Sequence, residues 1–271
     1  MKKGIFFALL AVSLAFAACK EKQLVIPELS VGKKRVLVEE VTGVNCPNCP
    51  DGARELADLQ TQVGKENLII VGVHAGGNLS SPITGSKYDF QIQEGYDLAN
   101  YVGTLFGLPS ASINRVEDLV DGTPFLISGW AARITDEFKK DFGLGVFIAN
   151  TYNTDTRQLD INVNIAPEQA LNGENRLTVV ITQDSIVDAQ YDGATNVPNY
   201  MHRHVLRDVV TKTDGEIISE PLVAKGLVQK TFSLKLADAW DYKHCTVVAY
   251  VHKNASSDKQ ILQVAEEKVS K

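Results

Sequence analysis

The chain has 271 residues, 44% of them hydrophobic and 22% charged, enough to build one large core or two ordinary ones. Its formal net charge of -6 leaves no basic footprint. That excludes a nucleic-acid partner and charge-driven binding to an anionic membrane surface.

The chain opens MKKGIFFALLAVSLAFAAC, with Lys2 and Lys3, an apolar run from Ile5 and small residues before Cys19. That run is roughly 14 residues long, short of the ~20 a helix needs to cross a bilayer, so residues 1–18 read as an export signal. Cys19 directly after Ala17 and Ala18 resembles a bacterial lipobox, in which the cysteine becomes the lipidated first residue. Phe16 departs from the aliphatic residue usual three places upstream. The expectation is an exported protein with lipidation at Cys19, held to the membrane through a tether of residues 19–34. An ordinary secretory cleavage nearby is the alternative.

From Lys34, KRVLVEEV is strand-like and ENLIIVGVH is a second, nearly continuous apolar strand. Between them Ala53, Leu56, Leu59 and Val63 share one helical face, and Gly64 fits as its stop. This is a β-α-β unit with parallel strands. A second helix is expected within YDFQIQEGYDLANYVGTLFG, its periodicity broken by Gly95. GLPSASINR and VEDLVDG follow as short strand candidates. PFLISGWAARITDEFKKD then suits a third helix, with Phe125, Ile127, Trp130, Ile134 and Phe138 on one face. From about Gly143 the texture changes to alternating segments separated by turns: GVFIANTY, RQLDINVNIA, RLTVVITQDS, MHRHVLRDVVT, QKTFSLKL, CTVVAYVHK and QILQVAEEKV. Seven short strands predict a β-sandwich over residues 143–271.

EEVTGVNCPNCPDGARELADLQ holds Cys46 and Cys49 at C-x-x-C spacing where a strand gives way to a helix. A cysteine at a helix start faces unpaired backbone N–H groups and the positive end of the helix dipole, which favour thiolate over thiol. Cys46 would attack a substrate sulfur and Cys49 would resolve the mixed disulfide. If Cys49 caps the helix, Pro50 takes its favoured first position and Cys46 lies exposed in the preceding turn. Asp51 and Glu55 oppose a neighbouring thiolate and Arg54 is the one nearby cation, so activation should be moderate. A zinc site needs four Cys or His ligands, and no second C-x-x-C accompanies the first; His202 and His204 share a strand face while His74, His244 and His252 are scattered. No metal or cofactor is expected. Cys245 alternates with Val247, Ala249 and Val251 as a small buried hydrophobe. A structural clip between Cys46 and Cys49 stays open as an alternative, although so small a loop constrains the unfolded chain little.

The order strand, C-x-x-C, helix, strand, helix, then a proline opening a strand resembles the thioredoxin family. VLVEEVTGVNCPNC matches its first core strand and active-site turn, and FGLPSASIN the segment whose proline lies in cis beside the cysteines. The resemblance implies a cis Leu108–Pro109 bond, with Pro109 shaping the substrate groove. Glu40, or Glu39, falls where the family keeps a buried acid that assists proton transfer; an exposed strand-end carboxylate is the alternative. Asn45 replaces the family's tryptophan before the first cysteine, and Pro50 replaces the basic residue after the second.

EEVTGVNCPNCP, FGLPSASINR, YMHRHVLRDVV and QILQVAEEKV together resemble the Omp28-related family of outer-membrane lipoproteins. This implies an α/β thioredoxin-like domain at residues 35–142 followed by an all-β immunoglobulin-like sandwich at 143–271, located in the cell envelope at the outer membrane. Family members are described chiefly as surface antigens. The leading expectation is a lipid-anchored thiol-disulfide oxidoreductase acting on protein thiols or disulfides. Its rival is a non-catalytic adhesin or binding module with a surface partner, for which the loop AGGNLSSPITG and the second half would supply the contacts.

Overall fold

A computed structural model describes residues 33–103, 107–116, 125–255 and 258–270. The export signal, Cys19 and most of the VEDLVDG strand candidate lie outside them. Strand β1 (Val36–Thr42), helix α1 (Cys49–Val63) and strand β2 (Leu68–His74) form the expected β-α-β unit. β1 and β2 are parallel and in register from Val36 opposite Leu68 to Thr42 opposite His74. Every residue of β2 is buried, which explains its unbroken apolar run: both faces of the strand are covered. On one face Val36, Val38, Leu68 and Ile70 pack against Leu56 and Leu59 of α1. α1 stops where Gly64 takes φ +90° and returns its N–H to Gln60 O at 2.9 Å.

Helix α2 spans Gln93–Val102 and contains Gly95 instead of breaking at it. A Cβ on Gly95 would lie 3.5 Å from Val73 Cγ1 and 3.8 Å from Leu206 Cδ2. The glycine thus lets the helix settle close to the sheet. Strand β3 (Ser110–Ile113) follows a cis Leu108–Pro109 bond and runs antiparallel to β1. Strand β4 (Phe125–Leu126) pairs with β3, and helix α3 (Ile127–Phe138) follows directly. Phe125, expected on the helix, therefore belongs to β4. Trp130 and Ile134 of α3 are buried with Ala111 and Ile113, closing the core beneath α1.

The remaining strands are β5 (Leu144–Tyr152), β6 (Gln158–Pro167), β7 (Asn175–Gln183), β8 (Ile186–Asp192), β9 (Thr195–His202), β10 (Val205–Val209), β11 (Glu216–Ile217), β12 (Val228–Lys235), β13 (Cys245–Lys253) and β14 (Ile261–Lys268). β12, β6 and β5 form one sheet whose inward residues, Leu159, Ile161, Val163 and Ile165, pack on Leu177, Val179, Val247 and Ala249 of a second. That second sheet has nine strands, ordered β14-β13-β7-β10-β2-β1-β3-β4 with β11 on β7. Strands from both halves of the chain meet in it, where β10 bridges β7 and β2 through Val205 opposite Gly72. A core of Leu37, Val41, Ile69, Val71, Leu206, Val248, Tyr250 and Val264 spans the junction.

The segment MHRHVLRDVVT, read as one strand, is two. β9 ends at His202, His204 turns the chain at φ +55°, and β10 begins at Val205. The turn sends β9 away to pair with β8 in a separate two-stranded ribbon. That ribbon was not expected, and it determines what surrounds the cysteines.

Candidate functional site

Cys46 and Cys49 are joined by a disulfide, their Cα atoms 5.4 Å apart. Asn48 is the N-cap of α1, Cys49 its first residue and Pro50 its second, so Cys46 sits in the preceding turn. There Cys46 N–H donates to Gly43 O at 3.2 Å and Cys46 O accepts from Cys49 N at 3.3 Å. Both cysteines are only 2% exposed, whereas an exposed Cys46 was the expectation for a helix capped by Cys49; the cap is Asn48. The β8–β9 ribbon is hydrogen-bonded to this turn. Tyr191 N donates to Val44 O at 3.0 Å and Gly193 N to Pro47 O at 2.9 Å. The Gln190 side-chain amide donates to Gly43 O at 3.1 Å and Cys46 O at 3.2 Å.

Arg54 is committed elsewhere than to the sulfurs. Its guanidinium bridges Asp51 at 2.5 Å and Asp192 of the ribbon at 2.9 Å. Pro109 is buried against the first turn of α1: a Cβ on Gly52 would lie 2.9 Å from Pro109 Cγ and 3.0 Å from Trp130 Cη2. Residue 52 must therefore lack a side chain for the helix to meet Pro109.

Behind Cys49 lies a cavity of about 180 Å³ between β1, β2, α1 and the ribbon, lined among others by Glu40, His74, Gln190, Tyr200 and His202. Glu40 Oε1, His74 Nδ1 and His202 Nε2 are buried without a hydrogen-bond partner. Burial pushes the Glu40 carboxyl up to about 8. Burial, aided by neighbouring His202 and Arg207, pulls His74 down to about 3, and burial holds His202 at about 4. At neutral pH all three are uncharged, because a low-dielectric pocket disfavours each charged form. Glu39 points to the opposite face of β1, where its carboxylate accepts from Arg115 at 2.6 and 2.8 Å and from Tyr250 Oη at 3.1 Å. Glu40 is thus the acid that shares a space with Cys49.

Cys245 is buried and unpaired, its thiol raised to about 12 chiefly by burial. Among the described residues no three His, Cys, Asp or Glu side chains are arranged to hold a metal. His252 instead contacts Thr178 Oγ1 at 2.9 Å and Lys253 O at 2.9 Å. The ribbon residues Gln190, Asp192, Gly193 and Tyr200 escaped the sequence reading, which weighed His202 only as a metal ligand. One local signal marks them: Gly193 at φ +56° leads a two-residue loop between Asp192 and Thr195, the primed turn that a hairpin favours.

These features define a β-rich protein with a mixed sheet and a helix-end cysteine pair. The sequence model of the outer membrane protein Omp28 family matches residues 97–271, and the chain belongs to that family, located at the outer membrane. The structure of HBP35 of Porphyromonas gingivalis is similar at a TM-score of 0.71 and 17% identity, over 88% of this chain and 76% of that one; the likeness is one of fold. A domain of the outer membrane lipoprotein Omp28 from the same organism aligns at 16% identity and a TM-score of 0.34, over 47% of this chain and 96% of that one. No curated protein sequence matches the chain.

Proposed function

We propose that the chain is a lipid-anchored thiol-disulfide exchange protein, acting on protein thiols or disulfides through Cys46 and Cys49. The carrying observation is the cysteine pair at the mouth of α1, with Pro109 against the helix and an uncharged Glu40 in the cavity behind Cys49. Residues 35–142 read as a thioredoxin-like unit, supported by the order β2-β1-β3-β4 with β3 antiparallel to β1. Residues 143–271 read as an immunoglobulin-like sandwich, supported by two face-to-face antiparallel layers. Acyl chains on Cys19 hold the protein to the membrane.

In the oxidising direction a substrate thiolate attacks Cys46 Sγ. The Cys46–Cys49 bond breaks as the mixed disulfide forms, and Cys49 leaves as a thiolate that takes a proton from Glu40. The substrate's second thiolate then attacks its own sulfur in the mixed disulfide, closing the substrate disulfide and releasing Cys46. Two electrons pass from substrate to protein, and a second disulfide must take them up before another cycle. Run backwards, Cys46 is the nucleophile on a substrate disulfide and Cys49 the resolving thiol. First-turn N–H groups of α1 favour the Cys49 thiolate. Asp51 opposes it and Arg54 is occupied, so the activation is moderate. Replacing both cysteines with serine should abolish turnover in an insulin-disulfide reduction or dithiol-oxidation assay; full turnover in that variant rejects the reading.

A second reading rests on the burial of both sulfurs: a surface binding module, an adhesin in function, in which the disulfide only clips the turn. The chain-entropy account assigns so short a loop about 2 kcal/mol. On that reading the double serine variant keeps every cellular phenotype of the wild type.

A further inference from the structure

The three-stranded sheet β12-β6-β5 turns one face to the core and the other outward. Its register sets the outward side chains in rows that cross all three strands. Gln229, Asn164 and Phe147 form one row, Thr231, Asn162 and Ala149 the next, and Ser233, Asp160 and Thr151 the third. At ordinary strand spacing and rise these rows cover a face of roughly 10 Å by 14 Å. The middle row, where Ala149 is short, floors a shallow depression of about 540 Å³.

The rows differ in how their polar groups are used. In the first, the Gln229 amide donates to Asn164 Oδ1 at 3.3 Å. In the third, Ser233 Oγ donates to Asp160 and accepts from Gln158 Nε2 at 2.7 Å. In the middle row the side chains of Asn162 and Thr231 make no hydrogen bond to another described residue, and Asn162 Oδ1 is buried without a partner. A buried acceptor left unpaired costs about 1 to 3 kcal/mol, and this one lies on the floor of the depression, where a ligand can supply the missing donor.

Phe147 lies down along β5. A Cβ on Gly145 would stand 2.7 Å from Phe147 Cε2, so one side of the ring covers the glycine backbone, and the half-buried side chain offers its other side to solvent. The three rows hold no lysine or arginine, and Asp160 is their one acid. A face that only had to stay solvated would carry charges of both signs. Amides and hydroxyls both give and accept hydrogen bonds, as sugar hydroxyls do, and a flat ring beside them takes the C–H side of a pyranose. A phosphate or carboxylate ligand would find no cation in these rows and would be repelled by Asp160.

We infer that the outward face of β12-β6-β5 binds an uncharged oligosaccharide, with Asn162 and Thr231 hydrogen-bonding its hydroxyls and Phe147 stacking on a sugar ring. A face of this size holds roughly two or three hexose units. The site stands apart from the thiol chemistry, and for the binding-module reading it names the class of partner.

The test titrates the mature chain with maltotriose, cellotriose, mannotriose and triacetylchitotriose, and with 3′-sialyllactose as the acidic counterpart. Calorimetry gives the affinities and NMR the residues that respond. At least one neutral sugar should bind and shift the amide resonances of β5, β6 and β12, and the acidic sugar should bind far more weakly. Asn162→Ala and Phe147→Ala should each weaken the binding about tenfold. Thermal unfolding checks that both variants fold, and Phe147→Tyr, which keeps the ring, should retain the affinity. Absence of binding by all four neutral sugars overturns the inference. Binding that both alanine variants leave unchanged overturns it too, as does 3′-sialyllactose bound as tightly as the neutral sugars. The cellular phenotype of the Cys46→Ser/Cys49→Ser variant is read separately: if it persists while no sugar binds, the binding-module reading stands and the inference falls.

Discussion

Glu40 and Cys49 line one cavity from opposite walls, the carboxyl on β1 and the cysteine on the first turn of α1. Glu40 is held protonated at neutral pH by burial, with a folded-state value of about 8 against an ordinary 4.5. Below pH 4.5 folded and unfolded chains both keep this proton. Between 4.5 and about 8 only the folded chain keeps it, so stability falls as pH rises through that window, by up to ~1.4 kcal/mol per pH unit for the one group. Glu40→Gln should remove this slope. Urea unfolding of both proteins from pH 5 to 8 measures it, and parallel curves would count against a buried, protonated Glu40.

His74 and His202 act in the opposite sense. Their folded values, about 3 and about 4, lie below the ordinary 6.5, so their contribution is full above pH 6.5 and is lost as pH falls through the folded values. His202→Asn should make the protein less acid-sensitive between pH 6.5 and 4, whatever its effect at pH 7. The readout is the difference in urea midpoint between wild type and variant across that range.

The Arg115–Glu39 pair, with side chains 1% and 3% exposed, sits between β1, β3 and Tyr250 of β13. Removing one partner leaves a buried charge without its counter-ion, which costs about 3 to 5 kcal/mol. Glu39→Gln should therefore destabilise far more than an exposed carboxylate change such as Asp58→Asn. A double variant, Glu39→Gln with Arg115→Met, should recover part of the loss. Chemical denaturation gives all the values.

Gly52→Ala places a methyl against Pro109 and Trp130. Ala is the better helix former, and on an exposed face the change would stabilise. Here the overpacking should dominate and cost about 1 to 3 kcal/mol. The control is Ala57→Ser on the same helix, and thermal unfolding ranks the two.

The first half of the fold was legible because its signals are local. Leu56 and Leu59 repeat at helical spacing, β2 is apolar along its length, and Gly64 and Pro109 punctuate the elements they bound. Gly95 misled because its role depends on how closely α2 approaches Val73 and Leu206, which no periodicity records. The break at Arg203 and His204 was hidden by the alternation on either side of it. The ribbon's contact with the cysteine turn was illegible for a different reason: Gln190 meets Gly43 and Cys46 from 147 and 144 residues away, and pairings so distant leave no mark in local pattern. The two cysteines and Glu40 could be picked out by spacing and resemblance, whereas their enclosure could not.

The account turns on whether Cys46 can meet a substrate sulfur. In a Cys49→Ser variant there is no resolving thiol, so Cys46 should accumulate as a mixed disulfide with a cysteine-containing polypeptide, visible by mass spectrometry as a reducible adduct mapped to residue 46. The account predicts that adduct in Cys49→Ser and its absence from Cys46→Ser. A folded Cys49→Ser protein whose Cys46 stays unmodified under the same exposure would contradict it.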